Sequence, residues 1–305
     1  MSASAAGAAP AAALPVGILL LDKPVGLSSN AALQRVRRLA NRVKAGHCGS
    51  LDPLASGMLP ICLGDATRLA GDLLEGRKAY RFGLRLGERS ATGDAEGEIV
   101  ERCPVPTLSA AQIETVLARF LGPQTQVPPM YSALKRDGTP LYRLARAGFS
   151  VEREPRAIRI EALSLLAAAG SELELRVLCS KGTYVRVLGE DIARALGSCG
   201  RLLSLRREYV EPFDSDALVG FSTLEATPPG AWPLLRADRA VAHLPAFRLD
   251  ADQTQALRHG RTIALPQPLQ GRCRLYDPAG AFLGLGREEG GRLCVQRLFS
   301  APLPP

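Results

Sequence analysis

The sequence predicts an α/β (α+β) protein with a mixed, mainly antiparallel sheet, followed by a small β-barrel-like domain. Within residues 15–241, strand patterns are interspersed with amphipathic helix patterns. Two strand patterns follow each other across a glycine turn, which favours antiparallel pairing. From residue 242 onward, short alternating strands are separated by turn residues, and this change indicates a second domain.

The first elements are a buried strand and a basic amphipathic helix. The apolar run Val16–Leu21 predicts the strand, which stops at an Asp-Lys-Pro turn. Ser28 and its two polar neighbours are good N-caps for the helix that follows. In "AALQRVRRLANRVKAG", apolar residues recur at helical spacing, arginines line another face, and Gly46 ends the helix.

The middle of the chain continues this alternation. Residues 58–63 predict a strand or short apolar turn, residues 66–74 a helix, and "KAYRFGLRLGERS" a strand. In the following turn, Asp94 and Glu96 lack the spacing of an EF-hand calcium loop. "SAAQIETVLARFLG" predicts a capped helix.

A long connection at 122–150 is punctuated by glycine and proline, with one short helix near Leu141–Arg146. A connection of this length inside a compact protein is usually functional. Residues 156–197 then predict two antiparallel strands, a glycine turn and a capped helix. "RLLSLRREYVEPF" predicts one more strand before the C-terminal domain.

Length and composition set the class of protein. The 305 residues are 46% hydrophobic and 22% charged, which fits a globular chain of about two domains. No apolar run reaches the roughly 18–20 residues that span a bilayer. Residues 1–14 are small and uncharged, so we expect a disordered tail and not a signal peptide.

The cysteines and histidines argue against a disulfide framework and a metal site. The seven cysteines include no CxxC pair, which favours reduced, mostly buried thiols in a cytoplasmic protein. His47 and Cys48 are adjacent but have no partners at metal-ligand spacing. We therefore expect no bound metal.

The charge distribution points to an anionic partner. The net charge is +8 at pH 7, and such an excess most often serves nucleic acid, although a merely soluble basic protein would also show it. Residues 31–46 carry five basic residues and no acid, and residues 131–160 carry seven against three acids. Two basic blocks beside glycine- and proline-rich loops favour a phosphate-binding surface.

The loop "GHCGSLDPLASGMLP" contains a single formal charge, at Asp52. Asp-Pro often opens a turn, so the residue could be purely structural. Likewise, Tyr80 could be a cross-strand aromatic residue, His47 a core histidine, and the arginine of "CSKGTYVR" a snorkelling side chain. Spacing alone does not join these segments.

Five segments in order, "LLLDKPVGLSSN", "AGHCGSLDPLASGMLP", "KAYRFGLRLG", "YSALKRDGTPLYRLARAG" and "CSKGTYVRVLGEDIARALG", resemble the bacterial TruB family of tRNA pseudouridine synthases. That family modifies uridine 55 in the T-loop, and the resemblance covers roughly residues 16–221. The tail from about residue 242 resembles the family's small RNA-binding PUA-like domain. The chain departs from the family at Cys48, at Ser50 and in part of "GERSATGDAEG".

The resemblance implies a pseudouridine synthase fold and a set of site residues. Its essential aspartate falls on Asp52, its pairing arginine on Arg186, delivered by a different strand, and its active-site tyrosine on Tyr80. Further positions that contact the substrate or brace the loop fall on His47, Tyr184, Leu205 and Lys23, the last with Pro24.

The implied reaction breaks the bond from C1′ to N1 of uridine and joins C1′ to C5. No redox change occurs and no group is lost, so no cofactor is expected. The uridine must be flipped into a pocket, where Tyr80 offers a stacking face. Burial raises an aspartate's pKa, and a buried arginine opposes that change. We therefore expect Asp52 to be a lone acid, held by one cation and kept apart from other acids.

Three other functions remain open at this point. An N-glycoside hydrolase with an aspartate nucleophile would commonly need a second carboxyl group as acid. A non-catalytic tRNA-binding or RNA-folding protein would need only the basic blocks and the tail. A guide-RNA-dependent relative is the third. The short tail and the connection at 122–150 favour a stand-alone enzyme over that relative. We expect a cytoplasmic, monomeric enzyme that acts on the tRNA T-stem-loop, with no membrane and no required protein partner.

Overall fold

The computed structural model describes residues 15–213, 218–265, 269 and 271–303, so the tail predicted at 1–14 lies outside the described residues. An eight-stranded sheet has the order β1-β3-β12-β4-β11-β10-β7, with β2 beside β3. Only the β3–β12 pair is parallel among the strand pairs of this sheet, which confirms the mixed, mainly antiparallel prediction. Its strands are β1 (Gly17–Lys23), β2 (Ala45–His47), β3 (Ala55–Leu63), β4 (Lys78–Leu86), β7 (Gly122–Gln126), β10 (Arg156–Ala169), β11 (Glu172–Cys179) and β12 (Gly200–Val210).

The main hydrophobic core lies on one face of this sheet, which is covered by four helices at Ser29–Leu39, Ala110–Ala118, Val185–Ala195 and Phe221–Ala226. The described helices are α1 (Ser29–Leu39), α2 (Ala70–Glu75), α3 (Ala110–Ala118), α4 (Leu141–Arg146), α5 (Val185–Ala195), α6 (Phe221–Ala226) and α7 (Ala251–Arg258). Along β1, Leu19 and Leu21 face the core under the helices, whereas Ile18 and Leu20 belong to a second core on the other face. Both phases of the strand are therefore buried, as its continuous apolar run predicts.

Two predicted caps are confirmed. The Ser28 hydroxyl accepts a hydrogen bond from the Ala31 N–H at the start of α1. Ser109 and Gln112 form a capping box at α3, because each side chain accepts the other residue's backbone N–H. Such bonds satisfy donors that have no partner within the helix.

The prediction that Gly46 ends the first helix is wrong. Helix α1 ends at Leu39, and Asn41 and Arg42 both have left-handed backbone angles, with φ of 52° and 58°. The Arg42 N–H donates to the Arg37 carbonyl, which closes a tight turn, and Gly46 then lies on β2. Pairing of β2 with β3 outweighs the helical spacing of the apolar residues here.

The connection at 122–150 contains more structure than predicted. Its first five residues form β7, which pairs with β10 at the edge of the sheet. The short helix is confirmed as α4, preceded by a small hairpin of β8 (Lys135–Arg136) and β9 (Thr139–Pro140). A second hairpin, β5 (Glu88–Ser90) with β6 (Ile99–Arg102), follows β4.

The C-terminal region forms a separate five-stranded sheet, which supports the predicted small β domain. Its order is β13-β15-β16-β17-β14. These strands are β13 (Ala246–Arg248), β14 (Ile263–Ala264), β15 (Arg272–Tyr276), β16 (Phe282–Glu289) and β17 (Arg292–Leu303). Phe282 and Phe299 of this sheet are buried in the same core as Ile18 and Met58 of the large sheet. The two sheets therefore share hydrophobic packing.

The expectation that all cysteines are reduced is wrong for one pair. A disulfide joins Cys103 and Cys199, which are 96 residues apart in sequence. The fold brings together the segment after β6 and the start of β12, a proximity that cysteine spacing could not reveal. The other five cysteines are free, and only Cys294 among them is not buried. Among the described residues, no helix has the length and apolar character needed to cross a membrane.

Candidate active site

Asp52 and Arg186 form an ion pair with Arg186 Nε 2.9 Å from Asp52 Oδ2. The arginine side chain is 5% exposed and the aspartate side chain 42% exposed. A buried cation thus lies behind a carboxylate that remains accessible. Arg186 is the second residue of helix α5 and not part of a strand as expected, because β11 ends at Cys179 and a turn at Gly182 precedes the helix.

The loop that carries Asp52 joins β2 to β3 and is fixed from several sides. The Ser29 hydroxyl both accepts from the Leu51 N–H and donates to the Leu51 carbonyl, at 2.7 and 3.0 Å. The Gly26 N–H donates to the Pro53 carbonyl at 2.8 Å. The segment "LLLDKPVGLSSN" of this chain therefore braces the loop on both sides of Asp52.

The remaining donors of Arg186 bind two other loops. Nη1 donates to the Thr92 carbonyl and Nη2 to the Tyr131 carbonyl, both at 2.7 Å. One guanidinium thus joins the Asp52 loop, the loop between β5 and β6, and the connection after β7. Its planar fork of donors suits it to three acceptors at once.

Asp94 is a second acid at this guanidinium, so the expectation of an isolated Asp52 held apart from other acids is wrong. Asp94 is 3% exposed, and its Oδ2 lies 3.8 Å from Arg186 Nε. Its Oδ1 accepts from the Thr92 hydroxyl and from the Glu96 N–H. The sequence did not indicate that Asp94 belongs to the site, because its spacing does not match a calcium-binding loop. The β5–β6 hairpin brings Asp94 close to Arg186.

The electrostatic surroundings shift several pKa values. Burial raises the pKa of Asp52, the Arg186 cation opposes this, and Asp94 adds to the rise. Burial is also the largest cause that raises the pKa of Glu96, followed by Asp94 and Asp52. Burial lowers the pKa of Lys23 to about 8, and its Nζ donates to the Pro24 and Leu27 carbonyls.

The two tyrosines lie in the electrostatic neighbourhood of Asp52. Tyr80 is 9% exposed on β4, between Val177 of β11 and Arg207 of β12. Tyr184 is half-buried and immediately precedes helix α5. Burial is the largest influence on both phenols and raises both pKa values, while the Asp52 charge raises them further. Both rings are therefore neutral near pH 7 and suited to stacking.

His47 and Leu205 lie beside the two ends of the Asp52 loop. Leu205 is buried on β12, in register with Ala55, the first residue after the loop. His47 ends β2 and is half-buried, and its buried Nδ1 has no hydrogen-bond partner among the residues that the structure describes. Burial lowers the pKa of His47, and Arg207 lowers it further, so the imidazole is neutral near pH 7.

Arg207 was not identified from the sequence. It is 1% exposed, and it donates from Nε to the Met58 carbonyl at 2.7 Å and from Nη2 to the Gly49 carbonyl at 3.0 Å. It therefore ties both ends of the Asp52 loop to β12. One signal was present: Arg207 occupies the same phase of the strand as the buried Leu205, an unusual place for an arginine.

A cavity of about 950 Å³ lies among residues of β4, β10, β11 and β12 and contains none of the predicted site residues. Three arginines line it, and each is paired with a carboxylate: Arg77 with Glu211, Arg176 with Glu208, and Arg206 with Asp22. Neutralised arginines give this cavity no clear preference for an anion. The titratable side chains described above lie around Asp52 instead.

Comparison with known proteins identifies the family. Residues 37–185 match the family model of the TruB family pseudouridylate synthase N-terminal domain, and residues 245–299 match that of the pseudouridine synthase II TruB C-terminal region. The chain is 50% identical to a tRNA pseudouridine synthase B of Aromatoleum aromaticum over 287 residues, 93% of this chain and 92% of the relative. It is 47% identical to the protein of that name from Nitrosococcus oceani, over 93% of this chain and 94% of the relative.

Solved structures show the same fold. A Cbf5-Nop10-Gar1 complex contains a chain with a TM-score of 0.70 and 24% identity, which covers 93% of this chain and 84% of that one. The archaeal box H/ACA sRNP Nop10-Cbf5 complex gives 0.69 and 22%, over 93% and 86%. These likenesses confirm the predicted pseudouridine synthase fold. Through its matched domains and its curated relatives, the chain belongs to the TruB family of pseudouridylate synthases.

Proposed function

We propose that this enzyme converts uridine 55 in the T-loop of tRNA into pseudouridine, with Asp52 as the essential carboxylate. Its curated relatives are named tRNA pseudouridine synthase B, which supports tRNA as the substrate. The observation that carries the catalytic proposal is the ion pair between a buried Arg186 and an accessible Asp52. A buried cation behind a carboxylate favours its ionised form, while the exposed side of the carboxylate can reach a ligand.

The reaction needs no oxidant, reductant or second substrate. The C1′–N1 bond breaks, the base turns, C1′ bonds to C5, and the hydrogen lost from C5 is balanced by one gained at N1. Asp52 acts in this sequence as the ionised group at the sugar or base. The neutral rings of Tyr80 and Tyr184 offer apolar faces to the flipped uracil, and a base–aromatic stack contributes about 1–3 kcal/mol.

Two exposed basic surfaces support RNA binding. Arg38 in the last turn of α1 and Arg42 and Lys44 between α1 and β2 are exposed, on the chain that leads to His47. In the connection after β7, exposed basic residues accompany Phe149, which is 63% exposed. These are Lys135, Arg136, Arg143 and Arg146. An exposed aromatic ring among cations is typical of a surface that contacts phosphates and unpaired bases.

Hydrolysis of the glycosidic bond is the competing chemistry, since Asp94 brings a second carboxyl group near the first. Asp94 is 3% exposed, and its oxygens face Arg186, Thr92 and the Glu96 N–H. It is therefore placed to hold the arginine and not to protonate a departing base. Isomerisation accounts better for this arrangement.

The test uses a synthetic T-stem-loop RNA, the purified protein, and a pseudouridine-selective carbodiimide reagent. We expect unchanged RNA mass after incubation, and a single tag at position 55 after treatment. The Asp52→Asn variant keeps the shape of the side chain and should bind the RNA while producing no tag. Release of free uracil would show that the protein is a hydrolase. RNA that carries no tag and releases no uracil would show that the protein binds RNA without catalysis. Full activity of Asp52→Asn would contradict the assigned role.

A further inference from the structure

Gln126, the last residue of β7, holds the backbone of Tyr184 through both ends of its amide. Its Nε2 donates to the Tyr184 carbonyl at 3.1 Å, and its Oε1 accepts from the Tyr184 N–H at 2.8 Å. The side chain is buried, with the residue 5% exposed. The two hydrogen bonds restrain the two peptide units on either side of the Tyr184 Cα.

The start of helix α5 depends on this contact. Helices usually begin at a Ser, Thr, Asp or Asn whose side chain accepts a backbone N–H. Here the N-cap is Tyr184, whose side chain makes no such bond. Since Arg186 is only two residues further along the helix, an error in the position of Tyr184 would be carried into the Asp52–Arg186 pair.

The same short segment contacts Arg186 a second time. Five residues after Gln126, the Tyr131 carbonyl accepts from Arg186 Nη2 at 2.7 Å. Pro128 and Pro129 lie between these two contacts and restrict the backbone of the segment. Residues 126–131 of the connection at 122–150 therefore hold the N-terminus of α5 at two points.

We propose that Gln126 is a positioning residue that aligns Tyr184 and Arg186 with Asp52 and links the basic connection to the catalytic pair. It does not contact Asp52 and acts only through the backbone of Tyr184. The inference rests on the proposed function, in which Arg186 orients the reactive carboxylate. RNA bound to the connection at 122–150 would change the position of Arg186 through residues 126–131.

Two substitutions separate positioning from a purely structural role. Gln126→Met keeps the length of the side chain and removes both hydrogen bonds. Gln126→Glu keeps the acceptor for the Tyr184 N–H and loses only the donor. The matched control is Gln124→Met on the same strand, since the Gln124 side chain donates to the Phe120 carbonyl and not to helix α5.

The measurements are T-stem-loop affinity, single-turnover rate at saturating enzyme, and the acidic limb of the pH–rate profile. We expect Gln126→Met to bind RNA nearly as well as wild type but to react more slowly by about tenfold or more, because small misplacements of reacting groups are costly. Arg186 lowers the Asp52 pKa, so a looser pair should move the acidic limb to higher pH. Gln126→Glu should be intermediate, and Gln124→Met should behave as wild type.

Thermal unfolding identifies variants that do not fold. The proposal is overturned by a folded Gln126→Met with wild-type rate, or by a slower rate with an unmoved acidic limb, which would indicate general destabilisation. The proposed function fails separately, through an active Asp52→Asn. A third result would separate the two proposals: Asp52→Asn is inactive, Arg186→Met moves the acidic limb, and Gln126→Met does not. In that case the proposed function stands and the positioning role of Gln126 is wrong.

Discussion

Burial raises the pKa of Asp52, and the Arg186 cation is the main influence that opposes this rise. In the proposed mechanism the aspartate must be ionised to act, so we expect activity to be lost as the pH falls through its pKa. Removal of the arginine raises that pKa, and the acidic limb of the kcat profile should move to higher pH.

We expect Arg186→Lys to be partly active and Arg186→Met to be far worse, by about 2–4 kcal/mol of barrier. Lysine keeps the charge but loses the fork that also reaches the Thr92 and Tyr131 carbonyls. The check is kcat against pH for both variants, with folding confirmed by circular dichroism. A wild-type kcat and an unmoved acidic limb in Arg186→Met would show that other groups stabilise Asp52.

Asp94 should act in the opposite direction on the same profile. Its negative charge raises the Asp52 pKa, so Asp94→Asn should lower that pKa and move the acidic limb to lower pH. The rate on the plateau should fall, because Arg186 loses the electrostatic attraction that holds its position. The pH–rate profile measures both effects, and a shift of the acidic limb to higher pH would contradict this account.

At the level of elements, the parallel pairing of β3 with β12 requires a glycine at position 57. A Cβ there would lie 2.2 Å from the Arg207 carbonyl oxygen, and φ is +97°. The close approach lets Arg207 reach the Met58 and Gly49 carbonyls and so fixes the Asp52 loop. The close contact with the β12 backbone therefore excludes a side chain at position 57 of β3.

We therefore expect Gly57→Ala to lower the free energy of unfolding by more than the roughly 1–3 kcal/mol of backbone strain alone. Gly46→Ala is the control, because its Cβ would meet nothing within 4 Å and its φ is not in the left-handed region. Urea unfolding of both variants measures the difference. Equal stabilities would mean that the strand pair adjusts without cost.

For the whole molecule, the C-terminal sheet contributes to the stability of the catalytic region. Phe282, Leu285 and Phe299 are buried with residues of β1 and β3, and Arg272 pairs with Asp72 of α2 at 2.7 Å. The Asp72 side chain is 10% exposed, so this ion pair is well shielded from solvent. The residues with proposed catalytic roles, Asp52, Tyr80 and Arg186, all precede this sheet in the chain.

A chain that ends at residue 241 should therefore unfold at a lower temperature than the full chain and bind tRNA more weakly. At a temperature where it remains folded, it should still isomerise T-stem-loop RNA when saturated. Calorimetry and single-turnover assays test the two statements. A folded truncation with no activity would show that the C-terminal sheet takes part in the chemistry.

Local sequence determined most of the elements of this protein. The capping box at Ser109, the short helix Leu141–Arg146 and the buried strand β1 depend on residues within a few positions of one another, and all were predictable. The family motifs placed Asp52 and Arg186 in one site. These signals are readable because caps, periodicity and motifs act over short stretches of chain.

Only the tertiary structure decided the contacts that complete the site. Gln126 meets Tyr184 across 58 positions, Arg207 meets Met58 across 149, and the Cys103–Cys199 bond spans 96. The end of α1 was likewise set by the pairing of β2 with β3 and not by local spacing. Such contacts depend on which strands become neighbours, and that order results from burial of the whole core, a property that no short segment of sequence contains.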